Sequence, residues 1–326
     1  MKSWIRPHFC LATLLLLIST TLAGCGDQPQ STTAAARPPS GQTAANRLFG
    51  FTVQTMNNPF FIDLEQGLKS VIEAHGDRRV TLDAQFNSLK QKNDISDLLQ
   101  QQPAAIFINP VNWEGVRGSL IEARRKKVPV IIVDAPVSDP ELVLSQVASD
   151  NIEAGRLAAE ALAKVNPKAR VVILHHSINK ACIDRVDGFK KAISQYPEIT
   201  ILDTQEGKGT AEGGRPVMRD LLGRFPDVDA AFPINDPSAL GALSAIESAG
   251  KLGRVTVVTV DGSREAVAVI KAGKLHSTSA QFPRQIGRSA AETIYQHLAG
   301  KPVPNDIKIP VKLITRENAD EFLQSL

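Results

Sequence analysis

The chain has 326 residues, with 37 Lys and Arg against 34 Asp and Glu, a net charge of +3 and three cysteines. A balance this even, with no basic stripe, argues against nucleic acid as a partner. Cys10 and Cys25 both fall near the start, so Cys182 stands alone in the rest of the chain, where no disulfide within the chain can form and a small buried hydrophobe is the expected role.

In chain order, Lys2 and Arg6 precede the apolar run FCLATLLLLI (9 to 18), which is too short to span a bilayer. The run closes at Leu22-Ala23-Gly24-Cys25, which resembles a bacterial lipobox. Residues 1–24 are therefore expected to be a lipoprotein signal peptide, with Cys25 lipidated as the new N-terminus. Residues 25–46 continue with small, polar and Pro-rich sequence that cannot bury a core, and read as a flexible tether. The expected location is periplasmic or extracytoplasmic, with lipid holding the protein to the cell membrane or the outer membrane.

Roughly 280 residues follow, more than one compact core usually supports, so two lobes are expected. Continuous apolar runs at 48–53, 104–108, 128–133, 170–174 and 255–260 have the character of parallel strands buried on both faces. Val80, Leu82, Ala84 and Phe86 alternate instead, as in a strand with one exposed face. Phe61, Leu64, Leu68, Val71 and Ile72 mark one helical stripe; Ile183, Val186, Phe189, Lys190 and Ile193 mark another. Asp236-Pro237 opens a third helix that Gly250 closes. Such alternation predicts an α/β class of doubly wound, Rossmann-like layers.

Ligands of such sheets bind beyond the carboxyl ends of the strands. There the sequence places Asn57, Asn58, Phe60 and Phe61, then Asn109, Asp134, Asn235 with Asp236, and Asp261. Taken singly, each polar residue is an ordinary turn former. Gathered at one rim beside two phenylalanines, they offer donors and acceptors for hydroxyls and flat apolar faces for C–H groups, which is the chemistry of a sugar ring. No HExxH, no metal-ligand spacing of Cys and His and no GxSxG elbow is present, and GKGTAEGG (207 to 214) matches neither a dinucleotide fingerprint nor a P-loop. An enzyme is not expected, and no cofactor or metal. His175-His176 read as loop histidines, and the run RRKK (124 to 127) as a solvated helix end.

The ordered set TMNNPFF, INP, VD, ASDN, RVDGF, IND, ALGAL, VDG and AQFPRQIG, spread over nearly the whole body, resembles the ribose-binding-protein branch of the periplasmic sugar-binding proteins, the substrate receptors of ABC importers. That resemblance implies the type I periplasmic-binding-protein fold, two lobes joined by a three-crossing hinge. The lobes would be 47–148 plus 282–309 and 149–281 plus 310–326, closing over a small ligand, a monosaccharide by resemblance. It also implies a ligand set of Asn58, Phe60, Phe61, Asn109 and Asp134 on one wall, with Asn235, Asp261 and Gln281 on the other wall and hinge side. The implied partners are the membrane subunits of an importer and, through Cys25, the membrane; the protein itself is expected to be a monomer.

Two departures bear on the ligand. By the resemblance, ligand-contacting arginines of ribose binders fall at Ala135 and Ile183, and an aromatic of the second lobe falls near Gly209. An apolar wall at Ile183 would disfavour ribose and favour a deoxy sugar, with His175, His176, Lys180 and Lys208 as nearby replacement donors. Repressors of the LacI type share such a body but carry an N-terminal helix-turn-helix, where this chain has a signal and tether. A sensor presenting its sugar to a membrane receptor, or a binder of a non-sugar polar molecule, remains as an alternative.

Overall fold

The computed structural model describes residues 46–325; up to residue 45, the segments expected to be a signal peptide and tether, with Cys25, lie outside the described residues. The apolar runs become strands because they are buried on both faces. β1 (Leu48–Val53), β3 (Ala105–Ile108) and β4 (Val130–Val133) are lined by residues such as Phe49, Phe51, Phe107 and Ile131, all 0% exposed. Between and beside them run α1 (Pro59–Ala74), β2 (Arg78–Asp83), α2 (Ser88–Gln100), α3 (Arg117–Arg125) and β5 (Ser145–Ser149). Helix α1 starts where Asn58 Oδ1 accepts from the Phe60 N–H and Pro59 opens the first turn.

The chain then crosses into a second layer. It comprises α4 (Asn151–Val165), β6 (Arg170–His175), α5 (Lys180–Ile193), β7 (Thr200–Glu206), α6 (Ala211–Arg224), β8 (Ala230–Pro233), α7 (Asp236–Ser248), β9 (Thr256–Asp261), α8 (Arg264–Lys271) and β10 (Ser277–Ala280). Next, α9 (Pro283–Leu298) packs back on α1, and β11 (Asp306–Ile309) joins the first sheet beside β5. Finally β12 (Lys312–Ile314) pairs antiparallel with β10, and α10 (Ala319–Ser325) lies against α8.

Two six-stranded sheets result, ordered β11-β5-β4-β3-β1-β2 and β12-β10-β9-β8-β6-β7. Every pairing is parallel except β10–β12. These are two α/β lobes, and the chain passes between them after β5, after β10 and between β11 and β12. Because the strands of each lobe run parallel, their carboxyl ends gather at one edge, and helix N-termini arrive there with them.

Candidate functional site

A cleft, open at its mouth, lies at those edges, where ligands of such sheets bind. The first lobe lines it with Gln54 at the end of β1, Asn58, Phe60 and Phe61 from the β1–α1 turn, Phe86 after β2 and Asp134 after β4. The second lobe contributes His176 and Asn179 after β6, then Ala181, Cys182 and Arg185 on α5. Lys208 and Gly209 follow β7, Asn235 follows β8, Asp261 ends β9 and Gln281 follows β10.

The phenylalanines are less exposed than a rim position implies. Phe61 is buried in the first-lobe core and Phe60 is half-buried, the rings meeting edge to face with centroids 5.2 Å apart. Helix geometry explains this: Phe61 heads the stripe that continues through Leu64 and Leu68, so only part of it faces the cleft. The cap bond of Asn58 uses its oxygen, leaving the amide nitrogen for the cleft.

Asn109 is not a wall residue. It is fully buried behind Asp134, where its Nδ2 donates to Asp134 Oδ2 (3.0 Å) and Val133 O (3.2 Å) while its Oδ1 accepts from the Gln54 N–H (3.2 Å). With its side-chain groups engaged in this way, it positions Asp134 and does not line the cleft.

The expected apolar wall at Ile183 is also corrected. Neither Ile183 nor Ala135 lines the cleft; Arg185 does. On α5 the cleft face is set by residues 181, 182 and 185, neighbours at helical spacing, and Ile183 is turned away from it, half-buried. Lys190, assigned to the buried stripe, is exposed. Arg185 is the residue sequence reasoning missed; it stands three residues after Cys182 and four before Phe189, both buried on the same helix, and that spacing was its signal. Its Nε donates to Asn151 Oδ1 (2.8 Å), and its Nη1 donates to Ile234 O (2.9 Å) and Asp261 Oδ1 (3.3 Å). Nη2 has no hydrogen-bond partner among the described residues.

Two carboxyl groups, Asp134 and Asp261, feel this guanidinium, and a third, Asp236, adjoins Asp261. Burial pushes Asp134 up to about 7, against the pull of Arg185. Asp236, 0% exposed beneath Asp261, is pushed up to about 8 by burial and by Asp261. Burial raises Asp261 too, while Arg185 and the Gln281 amide, which donates to it at 2.7 Å, work in the opposite direction. Asp134 and Asp261 also sit at positive φ, 67° and 134°, conformations that ordinary side chains avoid. Gln54 Nε2 and Gln281 Oε1 are buried without hydrogen-bond partners among the described residues, one a donor and one an acceptor. Asn235 lines the cleft while capping α7, its Oδ1 accepting from the Ser238 N–H (3.1 Å) and its Nδ2 donating to Gly209 O (2.8 Å). Among the described residues, no group of three or more His, Cys, Asp or Glu could hold a metal ion.

A family model for the periplasmic binding protein domain matches residues 49–302. The chain belongs to the periplasmic binding proteins. Members of this family bind solutes and are not enzymes. The ribose import binding protein RbsB of Bacillus subtilis is 34% identical over 309 residues, covering 94% of this chain and 99% of that one. RbsB of Escherichia coli K12 is 33% identical over 280 residues, 85% of this chain and 94% of its own. Among solved structures, an ABC transporter solute-binding protein from Bacillus halodurans C-125 with bound myo-inositol aligns with a TM-score of 0.81 at 25% identity, covering 88% of this chain and all of the other.

Proposed function

We propose that this chain is an extracytoplasmic solute-binding protein that takes a monosaccharide in the cleft between its lobes and delivers it to an ABC importer. One observation carries the reading: beside a phenylalanine wall the cleft gathers acceptors (Asp134, Asp261, Gln281 Oε1) and donors (Gln54 Nε2, Arg185), all of them buried except the part-buried Asp261. A hydroxyl both donates and accepts, so a ring of hydroxyls satisfies such a mixture where an anion or an apolar ligand would leave carboxylates unpaired. The ligand residues of this proposal are Asn58, Phe60, Phe61, Asp134, Asn235, Asp261 and Gln281, joined by Arg185 and Gln54. With Arg185 in the cleft, the ground for excluding ribose falls away, and the names of the relatives favour including it.

Closure of the lobes over the ligand belongs to the same proposal. In its support, the Trp113 N–H of the first lobe donates to Ile178 O of the second (3.2 Å), and the Lys180 ammonium stands 6.0 Å from the centre of the Trp113 ring. The proposal also includes lipid on Cys25, supported by the charge, apolar run and Leu-Ala-Gly-Cys order. If so, Cys25→Ser moves the protein from the membrane to the soluble fraction, and an unlipidated mature terminus elsewhere refutes this part.

A thermal-shift screen against D-ribose, D-allose, L-arabinose, D-galactose, D-fucose and myo-inositol tests the main reading. A ligand at a hundred times its dissociation constant adds about 2.7 kcal/mol to stability. At least one sugar is expected to raise the midpoint by several degrees and to change Trp113 fluorescence; no shift with any of them overturns the reading.

A further inference from the structure

All the aromatic side chains that line the cleft, Phe60, Phe61 and Phe86, come from the first lobe. A ring stacked on that wall turns its other face to the second lobe, whose lining includes the imidazole of His176. We propose that His176, fixed in one orientation by Glu206, accepts a hydrogen bond from a hydroxyl on the ligand face turned away from the phenylalanines, and so selects among sugars by that hydroxyl. The inference rests on the monosaccharide reading above and deepens it.

The geometry that carries this is a clamp of two loops. His176 is 9% exposed and lines the cleft. Its Nδ1 lies 3.0 Å from Glu206 Oε1. The same carboxylate accepts from the Lys208 N–H (2.8 Å) and, through Oε2, from the Ser177 N–H (2.8 Å) and hydroxyl (2.8 Å). One carboxylate thus ties the β6–α5 connection to the β7–α6 turn. Burial works against its ionisation, but the bonds from Ser177, His176 and Lys208 outweigh it and pull Glu206 down to about 2. A carboxylate facing Nδ1 requires the proton there, so Nε2 of the neutral ring presents a lone pair. Nε2 has no hydrogen-bond partner among the described residues.

Gly209 keeps that ring uncovered. A Cβ at residue 209 would stand 3.7 Å from His176 Cδ2 and 3.4 Å from Asn235 Nδ2, in contact with both, and its φ of +64° suits glycine. Glu206 is a positioning residue: it reaches the ligand only through the imidazole it holds.

Calorimetry on the full chain tests the proposal with D-ribose, D-allose and myo-inositol, and with the mono-deoxy forms of the two sugars. His176→Leu removes the acceptor and keeps bulk; His176→Gln returns an acceptor close to the Nε2 position. For a probe that binds the wild type, His176→Leu is expected to weaken binding roughly tenfold, and His176→Gln to recover most of the loss. One mono-deoxy form is expected to bind the wild type about tenfold more weakly than its parent, yet to match its parent in the His176→Leu protein. Glu206→Gln, which puts an N–H opposite one of its donors, is expected to shrink that same deoxy discrimination and to leave the discrimination at other hydroxyls intact. A wild type that binds a probe alongside a His176→Leu variant with unchanged affinity and deoxy ranking overturns the assignment of His176 alone. A wild type that binds none of the probes overturns the monosaccharide reading and this inference with it.

Discussion

Asp134 and Asp261 close β4 and β9 in backbone conformations that cost roughly 1–3 kcal/mol each. The neighbours that hold them there are specific: Asn109 behind Asp134, and Gln281 and Arg185 beside Asp261. Arg185 links the cleft to Asn151 at the crossing between lobes. Arg185→Ala strips a buried guanidinium from Asp261 and Ile234 O, leaving a carboxylate and a carbonyl short of donors. Sugar affinity is expected to fall by at least tenfold, since a buried group left unpaired costs about 1–3 kcal/mol. Ile183→Ala, two positions away but off the cleft face, is expected to change affinity less than twofold. Calorimetry on the pair decides; a larger loss from Ile183→Ala would restore the apolar wall that the sequence implied.

At the scale of elements, α4 and α5 meet through glycine. A Cβ on Gly155 would stand 2.0 Å from Arg185 O, and one on Gly188 would stand 2.1 Å from Ile152 O. The two backbones therefore touch, and the register of that contact sets where Arg185 enters the cleft. Gly155→Ala must push α5 away, with an overpacking cost of about 1–3 kcal/mol. Both the unfolding midpoint and sugar affinity are expected to drop, measurable by denaturant titration and calorimetry; a variant that loses neither contradicts the close contact. Strands show the limits of sequence at this scale. The apolar runs became β1, β3, β4, β6 and β9 nearly where their hydrophobicity placed them. Strand β10, STSA, has no apolar pattern, yet its Ser277, Thr278 and Ser279 are all 0% exposed. Two of the three hydroxyls find partners there: Thr278 Oγ1 donates to Asp236 Oδ1 (2.8 Å) and Ser279 Oγ donates to Ala154 O (2.8 Å), while Ser277 Oγ has none among the described residues. Those partners are distant in sequence, so no local pattern announces the strand.

Across the whole molecule, the crowded carboxyl groups set the pH dependence of stability. An acid whose folded pKa is raised keeps a proton that the unfolded chain releases, so stability falls as pH rises from the unfolded value to the folded one. For Asp134 and Asp236 that window runs from 3.8 to about 7 and about 8, and the loss levels off above it. Glu206 has the opposite sign: its folded pKa is depressed to about 2, so its contribution is complete above the usual 4.5 and disappears as pH falls toward 2. The sugar-free protein is therefore expected to be most stable in mild acid and to lose several degrees of midpoint between pH 5 and pH 8. Asp236→Asn keeps an acceptor for the Ser263 N–H, which now donates at 2.7 Å, and removes the charge. Its thermal midpoint is expected to be higher than wild type at pH 8 and its pH profile flatter. A midpoint that rises steadily to pH 8 in the wild type would show these carboxyls ionising without cost.

What the sequence determined by itself was local and periodic: the α/β alternation, the polar residues at strand ends and the run of motifs that resembles the sugar-binding branch of the family. Each depends on neighbours within a turn or a strand, so a linear reading reaches it. Tertiary structure alone decided which of those residues face the cleft. Asn109 and Asp134 both end strands, yet only Asp134 lines the cleft, because Asn109 spends its amide on Asp134 and on the backbone around it. Ile183 and Arg185 share a helix, yet only Arg185 enters, because the touching glycines of α4 and α5 fix the rotation of the helix. Gln54 and His176 become candidate ligand groups through the loops that gather around them. Side-chain direction at a shared edge is set by packing between elements far apart in the chain, and that information is absent from any one stretch of residues.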